Sequence, residues 1–293
     1  MRMSVIGGGT MGRGIAGCFA AAGFTVIVVD PSESTRGKFA EQLESDVVWA
    51  VNRQSITAVD AKTVCALVNV TDSIEEACEN AQLIIEAAPE DMLLKRRLFE
   101  QIDSAALDTA LLASNTSALS VAAIAASTKC PDRVLGMHFF NPPLRMPLVE
   151  IVRGINTSDE SIARAIQFTQ MIRKEPIVVR DSPGFATSRI SAMVGNEAFF
   201  MLQEGVANAE DIDTALRLGM SWPIGPLALG DLVGLDVRLG VLENLYSRFG
   251  EKFRPCPLLA QYVDAGRLGR KVGKGVYSYD ASGKRLPGSA DVR

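Results

Sequence analysis

The first thirty residues constrain the fold of this chain more than any other stretch. Met3-Ser4-Val5-Ile6 is a short apolar run suited to a buried strand. Gly7-Gly8-Gly9-Thr10-Met11-Gly12 follows and satisfies the spacing G-x-G-x-x-G through Gly7, Gly9 and Gly12. Ile15, Ala16, Phe19, Ala20 and Ala22 recur at helical spacing, Gly23 ends that helix, and Val26-Ile27-Val28-Val29-Asp30 reads as a second strand closed by an acid. Gly7 permits a tight turn, Gly9 lets the backbone approach a pyrophosphate, and Gly12 lets helix and strand pack closely. Thr10 and Met11 open the helix, whose unpaired N–H groups and partial positive charge suit phosphates. Asp30 lies eighteen residues after Gly12 and is placed to accept hydrogen bonds from ribose hydroxyls. Glycines alone would be a weak signal; strand, turn, helix, strand and acid in this order specify a dinucleotide site. Asp30 would repel a 2′-phosphate, and Pro31-Ser32 bring no adjacent arginine, Arg36 being further along, so the reading is NAD rather than NADP.

A competing reading of this segment is a bacterial lipoprotein leader, with Arg2 before an apolar stretch ending in Ile15-Ala16-Gly17-Cys18. Arg13 interrupts the apolar core and the glycines weaken it as a helix. The 293 residues suggest about two domains, and 47% apolar residues are enough for sizeable cores. A net charge of −4 gives no footprint for nucleic acid or an anionic membrane, and no apolar run is long enough to span a bilayer. The five cysteines (Cys18, Cys65, Cys78, Cys130, Cys256) are odd in number and lack a C-x-x-C pair, so they read as reduced thiols of a cytoplasmic protein. With one histidine, no metal constellation is expected.

Further strands are expected at 67–70, 82–87, 110–114, 133–138, 148–152 and 176–180, with helices over 32–53, 92–104 and 159–173. This alternation implies an α/β fold, a doubly wound, mostly parallel Rossmann-like sheet, which binds ligands beyond the carboxyl ends of its strands. Asp30, Glu86 to Glu90, Ser114 to Ser117 and His138 fall at or just after such ends. Beyond Asp181-Ser182-Pro183-Gly184 the strand pattern stops, and helices are expected at about 185–205, 209–218, 225–249 and 257–265. The domains are therefore drawn at 1–181, binding the nucleotide, and 182–293, all-α, with a cleft between them. The large apolar faces of the helical domain suggest a homodimer formed through it.

His138, the single histidine, sits in Gly136-Met137-His138-Phe139-Phe140-Asn141-Pro142-Pro143, and Glu150 follows twelve residues on in Pro147-Leu148-Val149-Glu150. Histidine can take and return a proton near neutrality, and a carboxylate beside it fixes its tautomer and stabilises the imidazolium. A packed core histidine beside an unrelated surface glutamate is the plain alternative. Ser117 equally suits a helix N-cap before Leu119 to Ala126, Asn141 a turn before Pro142-Pro143, and Glu90 with Lys95 a solvated helix start.

These residues together resemble the L-3-hydroxyacyl-CoA dehydrogenases, and within them the short bacterial 3-hydroxybutyryl-CoA type, from residue 3 to about residue 280. The resemblance is carried by Gly7 to Gly12, Ser114-Asn115-Thr116-Ser117, His138-Phe139-Phe140-Asn141-Pro142, Leu148-Val149-Glu150 and Asp181-Ser182-Pro183-Gly184-Phe185. Ile224-Gly225-Pro226-Leu227, Asp231-Leu232-Val233-Gly234-Leu235-Asp236 and Gly273-Lys274-Gly275-Val276-Tyr277 continue it. It implies reversible, NAD-dependent oxidation of an L-3-hydroxyacyl-CoA to the 3-ketoacyl-CoA. His138 would be the general base and Glu150 its orienting partner. Ser117 would hydrogen-bond the reacting oxygen, and Asn141 would position nicotinamide and substrate. Glu90, Lys95, Asn115 and Lys271 match cofactor-contacting positions.

Two departures stand out. Ser188, in Gly184-Phe185-Ala186-Thr187-Ser188-Arg189, replaces the family's usual asparagine, which helps to hold the acyl carbonyl or the catalytic pair. In the region that contacts CoA in the family, this chain reads Glu44-Ser45-Asp46 and Asn52-Arg53, leaving Arg53 as the group for a phosphate. Two other functions compete: an NAD-dependent dehydrogenase of a free 3-hydroxy acid, such as gulonate or carnitine, and a non-catalytic NAD-binding protein. A beta-hydroxyacid dehydrogenase would need a catalytic lysine on a helix after the first domain, and the chain has none between Lys174 and Lys252.

Overall fold

The computed structural model describes residues 1–56 and 60–290; the expected end of the second domain at 293 lies outside them. Two compact units divide the chain, Met1–Ser182 and a second beginning at Pro183.

The first unit is built on eight strands: β1 (Arg2–Ile6), β2 (Thr25–Val29), β3 (Val68–Thr71), β4 (Leu83–Glu86), β5 (Leu111–Ser114), β6 (Val134–Phe139), β7 (Leu148–Arg153) and β8 (Glu175–Arg180). Their order in the sheet is β3-β2-β1-β4-β5-β6-β7-β8. The pairs from β3 to β6 are parallel, β6 and β7 are antiparallel, and β8 runs parallel to β7. This is the expected doubly wound, mostly parallel sheet, with one reversal. Alternate residues of the inner strands feed opposite faces. Met3, Val5, Val26, Val28, Leu83 and Ile85 join one core with Phe19, Phe39 and Leu43, while Ile6, Ile27, Val29 and Ile84 join another with Phe99 and Ile102. Burial on both faces explains why these strands read as unbroken apolar runs. The strand order reverses direction between β1 and β4, the switch point where such sheets bind ligands.

Three short helices, Ala61–Ala66, Ile74–Cys78 and Val121–Ala125, carry too few residues for a helical period to show in the sequence. Side chains nonetheless mark their starts: Asp60, Ser73 and Ser120 each accept a backbone N–H of the first turn. The N-cap in the third case is Ser120, not Ser117.

The second unit contains helices Thr187–Gln203, Ala209–Thr214, Pro226–Val233, Leu235–Phe249 and Pro257–Asp264 around a core that includes Phe199, Leu227, Leu242, Phe253, Leu259 and Tyr277. Ala209–Thr214 continues into a π-helical turn, Ala215–Gly219. The single helix expected over 225–249 is broken at Gly234, whose φ of 107° suits glycine and where a Cβ would press on Asp236 and Lys271. Two buried carboxylates hold the segment after the last helix. Asp231 accepts the N–H groups of Val276 and Tyr277 and the Tyr279 hydroxyl, and Asp213 accepts the Tyr277 hydroxyl together with the N–H groups of Leu227 and Ala228. Burial pushes both carboxyls above the ordinary aspartate range despite these bonds. No helix among the described residues is long and apolar enough to cross a membrane.

Candidate active site

The glycine-rich turn leaves β1 at the switch point. Gly7 has φ 112°, and a side chain there would strike the backbone of Ala87, while a Cβ on Gly12 would overlap the Gly7 carbonyl oxygen. Gly9 has nothing within 4 Å of where a Cβ would stand, so its backbone faces open space. It also begins helix Thr10–Ala21 without a side-chain cap, leaving first-turn N–H groups for an outside acceptor. Asp30 closes the turn from β2: its Oδ2 accepts the Gly8 N–H at 2.8 Å and its Oδ1 the Ser32 N–H at 2.9 Å. A recess of about 350 Å³ opens here, lined by Gly8, Gly9, Thr10, Arg13, Lys38 and Gln42 among others. The open backbone, the uncapped helix and the terminal acid fit a dinucleotide.

Arg36, which the sequence left distant from Asp30, folds back within one helical turn. It donates to the Asp30 carbonyl at 2.7 Å and pairs with Asp72 at 3.2 Å. Those acceptors engage its guanidinium, so its proximity does not by itself supply a phosphate receptor. Asp46 is held by Arg13 at 2.7 Å, and Arg53 lies over the Trp49 ring at 4.7 Å.

Beyond β4 and β5 lies a buried polar network. Glu86 is 0% and Lys95 1% exposed, with 2.7 Å between Nζ and Oε1. The same carboxylate accepts the Ala88 N–H at 2.6 Å and the Ser114 hydroxyl at 2.7 Å. Lys95 also donates to the Ala88 carbonyl and reaches Glu90 at 3.4 Å. Glu90 Oε1 in turn accepts the Thr116 hydroxyl at 2.5 Å, the Ser117 and Ala118 N–H groups at 3.0 and 3.2 Å, and the Ser117 hydroxyl at 3.4 Å. Lys95 is thus sunk behind Glu90 rather than presented on a solvated helix start, and Ser117 is positioned by Glu90. Glu86 was visible in the sequence only as a polar residue closing an apolar strand, whereas Ser114 also belonged to the stretch Ser114-Asn115-Thr116-Ser117 that carries the resemblance.

His138 and Glu150 face each other across the antiparallel β6–β7 pair. Their register brings Nδ1 to 2.7 Å from Oε2, with His138 7% and Glu150 0% exposed. The hydrogen bond at Nδ1 leaves Nε2 as the ring nitrogen suited to proton exchange. The Phe140 ring packs at 4.6 Å from the imidazole. Asn115 Oδ1 accepts the Phe139 N–H at 2.8 Å, which ties the end of β5 to the histidine strand. Asn141 is exposed in the connection that follows, where it precedes a cis proline. Lys174, not anticipated from the sequence, is buried beneath this connection and donates to the carbonyls of Pro143 and Met146 at 2.6 and 2.7 Å.

In the second unit, Ser188 is half-buried in the first turn of helix Thr187–Gln203. Lys271 grips both oxygens of Asp236 at 2.7 and 2.6 Å; burial opposes the Asp236 charge, but this bond keeps its carboxyl below the usual range. Among the described residues no three His, Cys, Asp or Glu side chains form a metal-binding group.

Comparison with known proteins agrees with this geometry. Residues 2–182 match the family model for the 3-hydroxyacyl-CoA dehydrogenase NAD binding domain, and residues 184–279 that for the 3-hydroxyacyl-CoA dehydrogenase C-terminal domain. A probable 3-hydroxybutyryl-CoA dehydrogenase of Bacillus subtilis is 40% identical over 95% of this chain and 97% of that protein. A 3-hydroxyadipyl-CoA dehydrogenase of Escherichia coli is 39% identical over 98% of this chain and 60% of that protein. The crystal structure of (S)-3-hydroxybutyryl-CoA dehydrogenase from Ralstonia eutropha superposes with a TM-score of 0.90 at 41% identity, covering 95% of this chain and 99% of that one.

Proposed function

Because the chain belongs to the 3-hydroxyacyl-CoA dehydrogenase family and is an NAD-dependent oxidoreductase, we propose that it interconverts short-chain L-3-hydroxyacyl-CoA and 3-ketoacyl-CoA thioesters. The buried 2.7 Å contact between His138 Nδ1 and Glu150 carries this reading. Oxidation of the alcohol removes a proton from oxygen and a hydride from C3. NAD, when bound, supplies the hydride acceptor. His138 takes the hydroxyl proton on Nε2, and Glu150 stabilises the resulting imidazolium through Nδ1. Ser117 donates to the reacting oxygen, its bond to Glu90 being long enough at 3.4 Å to give way. Asn141, exposed beside the histidine strand, orients nicotinamide and substrate. Glu90 and Asn115 support the cofactor side, with Lys95 acting through Glu90. Arg53 is the candidate for a CoA phosphate, and Ser188 and Lys271 are the second unit's contributions to substrate and cofactor.

The relatives' names differ at the end of the acyl chain: hydroxybutyryl ends in a methyl group and hydroxyadipyl in a carboxylate. NADH oxidation with acetoacetyl-CoA tests the shared chemistry. Turnover is expected with the thioester and not with free 3-ketobutyrate; inactivity toward every acyl-CoA at high enzyme concentration would refute the proposal. A homodimer through the helical unit is the accompanying proposal, supported by the exposure of Ile190, Leu218, Met220 and Val237. Sedimentation as a monomer at micromolar concentration would remove it. A cytoplasmic location is supported by the five unpaired cysteines.

A further inference from the structure

The helical unit buries a charge that the chemistry above leaves unused. Arg238, on helix Leu235–Phe249, is 6% exposed. Among the described residues, its Nη1 donates to the Ser191 hydroxyl at 2.9 Å and its buried Nε has no partner. Burial lowers the guanidinium pKa to about 10, and no carboxylate acts to offset it. Arg133, the other buried arginine among the described residues, also leaves Nε unpartnered, but it has Asp103 and two carbonyls as acceptors. A buried guanidinium without a counter-charge is costly, and the natural remedy is an anion from outside the unit.

The neighbouring helix presents small residues to Arg238. Ser191, Ala192 and Gly195 lie on the facing helix Thr187–Gln203, and a Cβ added at Gly195 would meet only the Arg238 side chain, at 3.9 Å from Nε. Ser188 precedes Ser191 by three residues and so shares its face, about 4.5 Å along the axis. Ser188 is the residue of this unit assigned to the acyl portion of the substrate. A chain held at Ser188 and extending one turn along the face arrives at the guanidinium.

Building on the dehydrogenase reading, we propose that Arg238 receives a carboxylate at the far end of the acyl chain. The substrates are then CoA monothioesters of 3-hydroxy and 3-oxo dicarboxylic acids. Arg238 offers paired N–H donors suited to a carboxylate, and Ser191 steadies it from the opposite side.

The test is initial rates of NADH oxidation with acetoacetyl-CoA and with 3-oxoadipyl-CoA, for the native chain, Arg238→Met and Ser191→Leu. The native chain should favour the carboxylate-bearing substrate in kcat/KM by about tenfold or more. Arg238→Met should lower that ratio on the order of 10²-fold, and Ser191→Leu, which keeps the charge but fills the space beside it, should lower it in the same direction. Methionine is of similar length and removes a buried charge, so the fold should persist. A native chain without the preference, or an Arg238→Met variant in which both substrates lose equally, would overturn the proposal. So would an unchanged ratio with weakened self-association, which would assign the missing carboxylate to a second copy. Inactivity toward both thioesters would differ from all of these, because it would also remove the parent reading.

Discussion

Arg133 and His138 stand near opposite ends of β6, and each is buried against a carboxylate. Arg133 lies in the turn before the strand. It meets Asp103 at 2.5 Å and the carbonyls of Leu107 and Ala110 at 2.6 and 3.2 Å, while Asp103 also accepts the Lys129 N–H. These partners come from the helix and turn that precede β5. The arrangement fastens connections at the amino edge of the sheet, and a guanidinium is too basic to exchange its proton at neutral pH. His138 lies toward the carboxyl edge, meets its carboxylate through strand register, and carries an imidazole, a side chain able to take and return a proton. Burial beside a carboxylate is common to both, so it does not mark a reactive group. The edge of the sheet and the basicity of the partner separate them.

The largest effect is expected at the carboxyl edge. His138→Gln should lower turnover by about 10²–10⁴-fold while NADH still binds, read by steady-state rates and fluorescence titration. Retention of near-native turnover would remove the contrast with Arg133. At the amino edge, Asp103→Ala strands the arginine and should cost about 3–5 kcal/mol in denaturant unfolding. The kcat of the molecules that remain folded should stay close to native; a variant of full stability but little activity would show that both edges serve the reaction. Glu86→Gln, in the other buried pair of the carboxyl edge, should combine the two outcomes. A stability loss of about 1–3 kcal/mol and a raised KM for NADH are expected, since Lys95 and Glu90 are coupled to it. Asp30→Asn should have the mildest effect, raising KM for NADH about tenfold and narrowing the gap to NADPH.

Much of the first unit could be read from the sequence because its signals are local. A buried parallel strand announces itself by apolar residues alone, and the glycine turn by spacing that only close backbone approach requires. The pairing of His138 with Glu150 came through resemblance, since twelve residues of separation do not reveal the register of a hairpin. What escaped depends on contacts distant in sequence. Lys174 looks like a surface lysine until the connection after His138 folds over it, and Arg36 looks remote from Asp30 until its helix turns back. Gly234 sits in a long helical pattern, and only its φ of 107° shows that the helix stops there. The unusual environment of Arg238 was equally hidden, because the absence of a counter-charge is a property of its neighbours.

The cross-strand placement of His138 and Glu150 has a consequence for how the protein fails when heated. Side chains along a ladder alternate between faces, so displacing β7 by one residue would bring Val149 or Ile151 opposite the imidazole and turn the carboxylate away. Small strains cannot draw the partners apart by degrees; they remain aligned until the ladder itself opens. Loss of activity on warming should therefore coincide with melting of that part of the sheet, without a preceding phase in which an intact fold grows steadily less competent.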